Sequence, residues 1–375
     1  MARRLYFVAG EASGDEHGAA LMRSLRELAP DCELYGRGGP RMKVVGGDPI
    51  TDWSDAAAVV GLWEVVKRYG YFRAQFSATL DEIAAAKPES VVLIDYPGFN
   101  LRLARTLRQR SPAVKIIYYI SPQVWAWHRG RIAQMARYLD LMLCIFPFEA
   151  ALYNASGLPT IFVGHPMIEN LAKRRTGEAR DPNLIGLFPG SRSREVKKIL
   201  PVLLEAARKI LARRPGTRFE IAAASDGLAG EIERIRRRFP FADRVRVVTG
   251  DSSGTMQRAF AGMVASGTAT LESAYFRMPF VLVYKVSWPT YFAARLMMRT
   301  RFLGMPNVLA DREIVPEFLQ HEARPRAIAD ALLHLVDDST RRQEMVVEFD
   351  AIIAKLGETG ASEKAARAIL AELGR

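Results

Sequence analysis

Phe188-Pro189-Gly190-Ser191-Arg192-Ser193-Arg194-Glu195 and Ala265-Ser266-Gly267-Thr268-Ala269-Thr270-Leu271-Glu272 stand in the second half of a chain of 375 residues. Each follows an apolar run (residues 184–188 and 259–264) and leads into a pattern of helical period. Small residues, backbone N–H groups and hydroxyls thus fall where a helix begins, the arrangement that receives a phosphate anion. Arg192 adds a guanidinium fork for phosphate oxygens, and Glu272 places a carboxylate farther along the second helix. One Gly/Ser turn before a helix is an ordinary cap. Two such turns with a carboxylate between them point to a nucleotide diphosphate-sugar.

Working outward, the chain alternates strand-like and helical patterns almost throughout. Residues 5–9, 91–95, 115–120, 139–146 and 160–163 are short apolar runs without alternation, as buried parallel strands are. Residues 18–28 and 101–109 carry the helical period between them. Residues 173–182, Lys-Arg-Arg-Thr-Gly-Glu-Ala-Arg-Asp-Pro, are polar and aperiodic and read as an interdomain linker. The alternation restarts with strands at 184–188, 218–223, 245–249 and 262–265 and helices at 200–213, 228–239 and 253–259. The chain ends in helical patterns at 326–335, 341–356 and 363–373. This predicts an α/β protein with two Rossmann-like domains facing a cleft. The first spans 1–172; the second, which carries both phosphate-seeking loops, spans 183–340. The helices of 341–375 either cross back to the first domain or exchange between subunits, giving a monomer or a swapped homodimer.

Length and composition agree with that division. A chain of this size exceeds one comfortable core; 49% of its residues are apolar and 25% charged, a globular balance. No apolar run approaches the roughly 20 residues of a membrane-spanning helix. The basic-then-apolar N-terminus meets Glu11 too soon for a signal peptide and reads as a first strand. Cys32 and Cys144 lack metal-ligand spacing and suit a reducing, cytoplasmic compartment. The net charge is +12, of which +3 falls in residues 1–165 and +9 in 166–375. Such an excess attracts anionic partners: nucleic acid, nucleotide substrates or an anionic leaflet.

Ligands of open α/β sheets sit beyond the carboxyl ends of strands. In the first domain this selects the loops 10–18, 95–100, 121–129 and 164–167. Gly10-Glu11-Ala12-Ser13-Gly14-Asp15 lacks the spacing of a dinucleotide fingerprint and the Lys of a P-loop, and its carboxylates repel pyrophosphate. It reads either as a partner for sugar hydroxyls or as a helix cap. Ile94-Asp95-Tyr96-Pro97-Gly98-Phe99-Asn100 puts a carboxylate directly after a buried strand. Asp95 there is either a desolvated general base or a cap for a helix beginning near Asn100. In Ser121-Pro122-Gln123-Val124-Trp125-Ala126-Trp127-His128-Arg129, two tryptophans two positions apart cannot both face one core, so at least one is expected to line a ligand surface. His128 is a weaker candidate base.

Two aromatic-basic stripes bear on membranes. Trp288, Tyr291, Phe292, Arg295, Arg299 and Phe302 fall within about a 100° arc of one helix, with Ser287 as cap and Pro289 in the first turn. Leu62, Val65, Val66, Tyr69, Phe72, Arg73 and Phe76 form a second arc, weakened by Gly70. Such stripes suit a headgroup interface, or they pack on their own domain.

Taken in order, these motifs resemble the lipid-A-disaccharide synthases, bacterial glycosyltransferases of the two-Rossmann-domain (GT-B) type. The resemblance runs from the Gly10–Asp15 stretch through Asp95–Asn100, the 121–127 loop, Phe146-Pro147-Phe148-Glu149, Phe162-Val163-Gly164-His165-Pro166 and the two phosphate-seeking loops to Met305-Pro306-Asn307-Val308-Leu309-Ala310. It implies transfer of 2,3-diacylglucosamine from its UDP derivative to 2,3-diacylglucosamine 1-phosphate, forming a β(1→6) disaccharide. Under it Asp95 is the base candidate. Pro189, Gly190, Ser191, Arg192, Ser266, Gly267, Thr268, Ala269, Thr270, Glu272 and Asn307 form the donor site. Ser13, Gly14, Asp15, Gln123 and Trp125 face the acceptor. Some members carry a second aspartate where this chain has Gly98, so no catalytic role carries to that position. With no Asp-x-Asp pair in the sequence, neither a metal nor another cofactor is expected. The enzyme would be cytoplasmic and peripheral on the anionic inner-membrane surface. The alternatives are a GT-B transferase or UDP-sugar epimerase with a soluble substrate, and, from charge alone, a nucleic-acid binder; no nucleic-acid motif supports the latter.

Overall fold

In a computed structural model the described residues are 3–54, 69–127, 130–288, 291, 295 and 300–374. They form two compact units, Met1–Pro166 with Leu356–Arg375, and Met167–Lys355.

The first unit carries a seven-stranded parallel sheet in the order β3-β2-β1-β4-β5-β6-β7. Its strands are β1 (Arg4–Ala9), β2 (Glu33–Gly38), β3 (Ile50–Asp52), β4 (Ser90–Ile94), β5 (Lys115–Tyr119), β6 (Leu141–Cys144) and β7 (Thr160–Phe162). The central strands are apolar on both faces because helices cover both; every residue of β4 is buried. One core layer packs Tyr6, Val8, Val91, Leu93, Ile116 and Tyr118 against Phe99, Leu103 and Leu107 of the helix Pro97–Arg110.

The second unit carries a six-stranded parallel sheet, β10-β9-β8-β11-β12-β13. Here β8 is Asp181–Phe188, β9 Arg218–Ala223, β10 Val245–Thr249, β11 Ala259–Ala265, β12 Phe280–Tyr284 and β13 Glu317–Leu319. Eight residues of the helix Ser193–Arg213 are buried on one stripe, from Val196 to Ile210. The two doubly wound α/β units are those expected; β2, β3, β12 and β13 add strands the sequence reading lacks.

The division of the chain falls elsewhere than 172 and 341. The polar segment 173–182 is no free linker: Arg180 is drawn in, its Nη1 donating to the carbonyls of Met256 at 2.8 Å and Gln257 at 3.2 Å and its Nη2 to that of Phe276. A guanidinium with five fixed donors gathers backbone acceptors that would otherwise lack partners. The helix Ser339–Lys355 stays with the second unit, held by the ion pairs Arg277–Asp350 (2.7 Å) and Arg312–Glu348 and by the stacked rings of Phe280 and Phe349. Only the helix Ala361–Leu373 belongs to the first unit, where Lys115 pairs with Glu372 at 2.9 Å and Arg3 donates to the Leu370 carbonyl at 3.1 Å. Cys32 and Cys144 are buried free thiols.

Candidate active site

The two quoted loops lie side by side because their strands pair. β8 and β11 are neighbours, with Phe188 opposite Val264, and they flank the point where strand order reverses, the ligand position of doubly wound sheets. Phe188, Gly190, Ser191, Arg192, Ser266, Gly267, Thr268, Ala269 and Glu272 line a cavity of about 450 Å³, joined by Glu195, Ala222, Ala223, Ala224, Ser252 and Met256. That is the size range of small-ligand sites. Ala222 and Ala223 end β9, the strand beside β8, Ala224 follows it, and their small side chains leave the space open. Pro189 is buried beneath the loop.

Gly190 has φ 110°, and a Cβ there would stand 2.4 Å from Glu195 Oε2; both backbone and space require glycine. Ser191 N–H donates to Glu195 Oε2 at 3.2 Å. Arg192 is the first flanking residue of the helix Ser193–Arg213, and its side chain is 64% exposed. The helix Thr268–Tyr275 begins after Gly267, at φ 147° with open space around its α-carbon. The N–H groups of Thr268 and Ala269 open that first turn, where an α-helix supplies no partners of its own. Thr270 differs from expectation. Its hydroxyl and its N–H both go to the Gly267 carbonyl, at 2.8 and 3.1 Å, so it closes the turn rather than offering donors. Burial pushes the Glu272 carboxyl up, against the lowering charge of Arg174.

Asn307 also departs from its expected role. Nδ2 donates to Val315 O and Glu317 Oε1, both at 2.8 Å, while Oδ1 accepts Ile314 N–H at 2.8 Å and Val315 N–H at 2.9 Å. With its amide engaged and buried, it clamps the chain before β13.

The first unit repeats the arrangement. β1 and β4 pair, with Ala9 opposite Ile94, at the reversal of strand order. Glu11 and Asp95 therefore emerge together. Asp95 and Tyr96 both lie in the left-handed region, φ 46° and 51°, a costly conformation for non-glycine residues that concentrates at functional sites. Three bonds hold it: Asp95 N–H donates to Tyr119 O at 3.0 Å, and the Asp95 carbonyl accepts Tyr118 OH at 2.5 Å and Asn100 Nδ2 at 2.8 Å. The helix starts at Pro97 with Tyr96 as its cap and no side-chain capping bond, so Asp95 does not cap it. Burial, reinforced by the charge of Glu11, pushes Asp95 up to about 6. Gly98 has open space where a Cβ would stand.

Two acceptor candidates are engaged with protein partners. Asp15 is buried in the helix Ala12–Leu28, and its carboxylate accepts N–H groups of Gly39 (2.9 Å), Arg41 (3.0 Å) and Met42 (2.9 Å). It supplies the cap that glycine cannot give the helix Pro40–Gly46. Trp125 is also engaged: it is buried, with Nε1 donating to Glu149 Oε1 at 2.8 Å and its ring edge-on to Phe148. Glu149, fully buried, is raised to about 7 by that burial. Ser13 and Gln123 remain exposed and Gly14 is buried. His128 and the Trp127 side chain lie outside the described residues.

Of the stripes, Trp288 is 53% exposed and meets Tyr291 edge-on at 5.9 Å. Arg295 is exposed, and Arg301 lies over the Phe302 ring at 5.3 Å. Phe292, Arg299, Leu62, Val65, Val66 and the Tyr69 side chain lie outside the described residues. Phe76 is partly buried against Phe99. No helix among the described residues is long and apolar enough to cross a membrane.

Two doubly wound α/β units, each with polar residues at the reversal of strand order, define a protein of the two-Rossmann-domain (GT-B) fold. Solved structures agree at the level of fold. A Staphylococcus aureus MnaA–UDP co-structure matches with a TM-score of 0.66 at 12% identity, covering 99% of this chain and 97% of that one. The calicheamicin glycosyltransferase CalG4 matches at 0.61 and 14%, covering 100% and 99%. The sequence profile of the lipid-A-disaccharide synthetase family matches residues 5–371, and the chain belongs to that family. Among its relatives are lipid-A-disaccharide synthases of Myxococcus xanthus, 36% identical over 98% of this chain and 97% of that protein, and of Chromohalobacter salexigens, 38% identical over 98% and 96%.

Proposed function

We infer that this enzyme is a hexosyltransferase that moves 2,3-diacylglucosamine from its UDP derivative to 2,3-diacylglucosamine 1-phosphate, releasing UDP and the lipid A disaccharide 1-phosphate. Family membership over nearly the whole chain carries the reaction. The 450 Å³ cavity between two glycine-led helix starts supports assigning the donor to the second unit.

In this reading the acceptor hydroxyl gives its proton to the Asp95 carboxylate as its oxygen attacks the anomeric carbon. The carbon–oxygen bond to the diphosphate breaks from the opposite face, and its electron pair leaves with UDP. The anomeric centre inverts through an oxocarbenium-like state. A carboxyl raised to about 6 is still ionised at neutral pH and is a stronger base than an exposed aspartate. Arg192 and the first-turn N–H groups of both helices stabilise the charge on departing UDP, and Glu272 holds ribose hydroxyls. No metal is needed in this scheme.

Both sugars carry acyl chains, so we place the enzyme on an anionic leaflet, with Trp288, Tyr291 and Arg295 as the contact. The decisive test incubates the protein with the two diacylated sugars in EDTA and follows UDP and disaccharide. Appearance of both supports the reading; no product with either EDTA or added Mg²⁺ sinks the reaction, and product only with Mg²⁺ sinks the metal-free scheme.

A further inference from the structure

Glu195 occupies the cradle assigned to the diphosphate. Its Oε2 accepts the Ser191 N–H at 3.2 Å, and its Oε1 lies 3.6 Å from Arg192 Nη1. Its side chain is only 16% exposed, whereas that of Arg192 is 64% exposed. The carboxylate is therefore set into the cavity wall, where it lines the same space as Ser266, Gly267, Thr268 and Ala269. Gly190 makes the room: any Cβ there would strike the Glu195 carboxylate. Position in the first turn of the helix Ser193–Arg213 favours a negative group. The N–H and guanidinium suited to phosphate oxygens already hold an anion.

A carboxylate and a diphosphate cannot share those donors, because two anions at contact distance repel. We propose that Glu195 is a positioning residue of the donor site, an internal anion that keeps Ser191 and Arg192 in place while the site is empty and yields them to the diphosphate. This rests on the reading that the two loops hold the nucleotide diphosphate. A ligand without phosphate has nothing to exchange for the carboxylate, so the competition weakens binding of the diphosphate and leaves that of the nucleoside unchanged.

The test measures binding of UDP and of uridine to the full chain and to Glu195→Gln, Glu195→Ala and Arg192→Ala. Glutamine keeps size and an acceptor oxygen for Ser191 N–H but loses the charge. The UDP-over-uridine affinity ratio should rise about two- to fivefold in Glu195→Gln, the scale set by exposed ion pairs, with uridine affinity unchanged. Glu195→Ala should move the ratio the same way, which keeps the test open should either variant fold poorly. A ratio unchanged or lowered in the folded variants overturns the proposal. If Arg192→Ala weakens UDP while the Glu195 variants do not strengthen it, only this inference fails. If Arg192→Ala binds UDP as the parent does, the donor-site reading fails first.

Discussion

The hydroxyl of Tyr118 donates to the main-chain oxygen of Asp95 at 2.5 Å. Tyr118 is the fourth residue of β5, paired with Leu93 of β4, so a neighbouring strand holds the strained turn that carries Asp95. Tyr118→Phe removes one of the two bonds to that carbonyl and leaves the Asn100 amide. We expect kcat to fall about tenfold through loss of alignment, with UDP affinity unchanged. Unaltered kcat would show that the turn is held without Tyr118.

With Asp95 as the proposed base, its acidity sets the acid limb of the reaction. A base must be ionised, so kcat/KM should rise with pH through about 6 and level above it. Stability runs the other way. The folded carboxyl binds its proton more tightly than an unfolded aspartate, so ionisation costs the fold nothing below the ordinary value and its full amount above about 6. Asp95→Asn should therefore raise stability at pH 8 by up to about 3 kcal/mol, read as a higher melting temperature, while turnover falls by orders of magnitude. Near-normal turnover would remove Asp95 as the base.

Arg192→Ala should weaken UDP about tenfold, as expected for loss of a charge-assisted contact to phosphate, and leave uridine binding alone. Isothermal titration of both ligands distinguishes this from general damage to the loop, which would weaken both.

Asn307→Ala should act on the fold. It strands the N–H groups of Ile314 and Val315 and costs about 2–4 kcal/mol for the unpaired buried groups, read as a lower midpoint in thermal unfolding. A variant as stable as the parent but defective in UDP binding would return Asn307 to the nucleotide site.

Trp288→Ala and Arg295→Ala should each reduce flotation with anionic vesicles, the arginine by about 1 kcal/mol and only at low salt, the tryptophan at any salt. Equal flotation of parent and variants would move the membrane contact to another surface.

What could be read along the chain depended on where the partners lay. Buried parallel strands such as β4 are continuous apolar runs, so their ends, and the loops after them, stand out locally. β2 did not, because Gly36, Arg37 and Gly38 interrupt it, and β3 and β13 are three residues each, defined by the strand beside them. β12 is an apolar run that periodicity alone does not separate from nearby helical patterns. Glu195 stood in the quoted loop, but only its contact with Ser191 gives it a role. Asp15, Trp125 and Asn307 carry groups fit for a ligand, and each is instead bound to protein atoms: those of Asp15 and Trp125 lie about two dozen residues away, those of Asn307 seven to ten.

The sequence by itself determined the α/β alternation, the two phosphate-seeking loops and the aspartate after β4, because each rests on a few consecutive residues and short-range sterics. Tertiary structure alone decided which polar groups remain open. Pairing β8 with β11 brought the two loops to one cavity, and pairing β1 with β4 set Glu11 against Asp95. Hydrogen bonds to residues farther along the chain engaged Asp15, Trp125 and Asn307, since a buried polar group must find a partner and nothing beside it in the chain says which partner that will be.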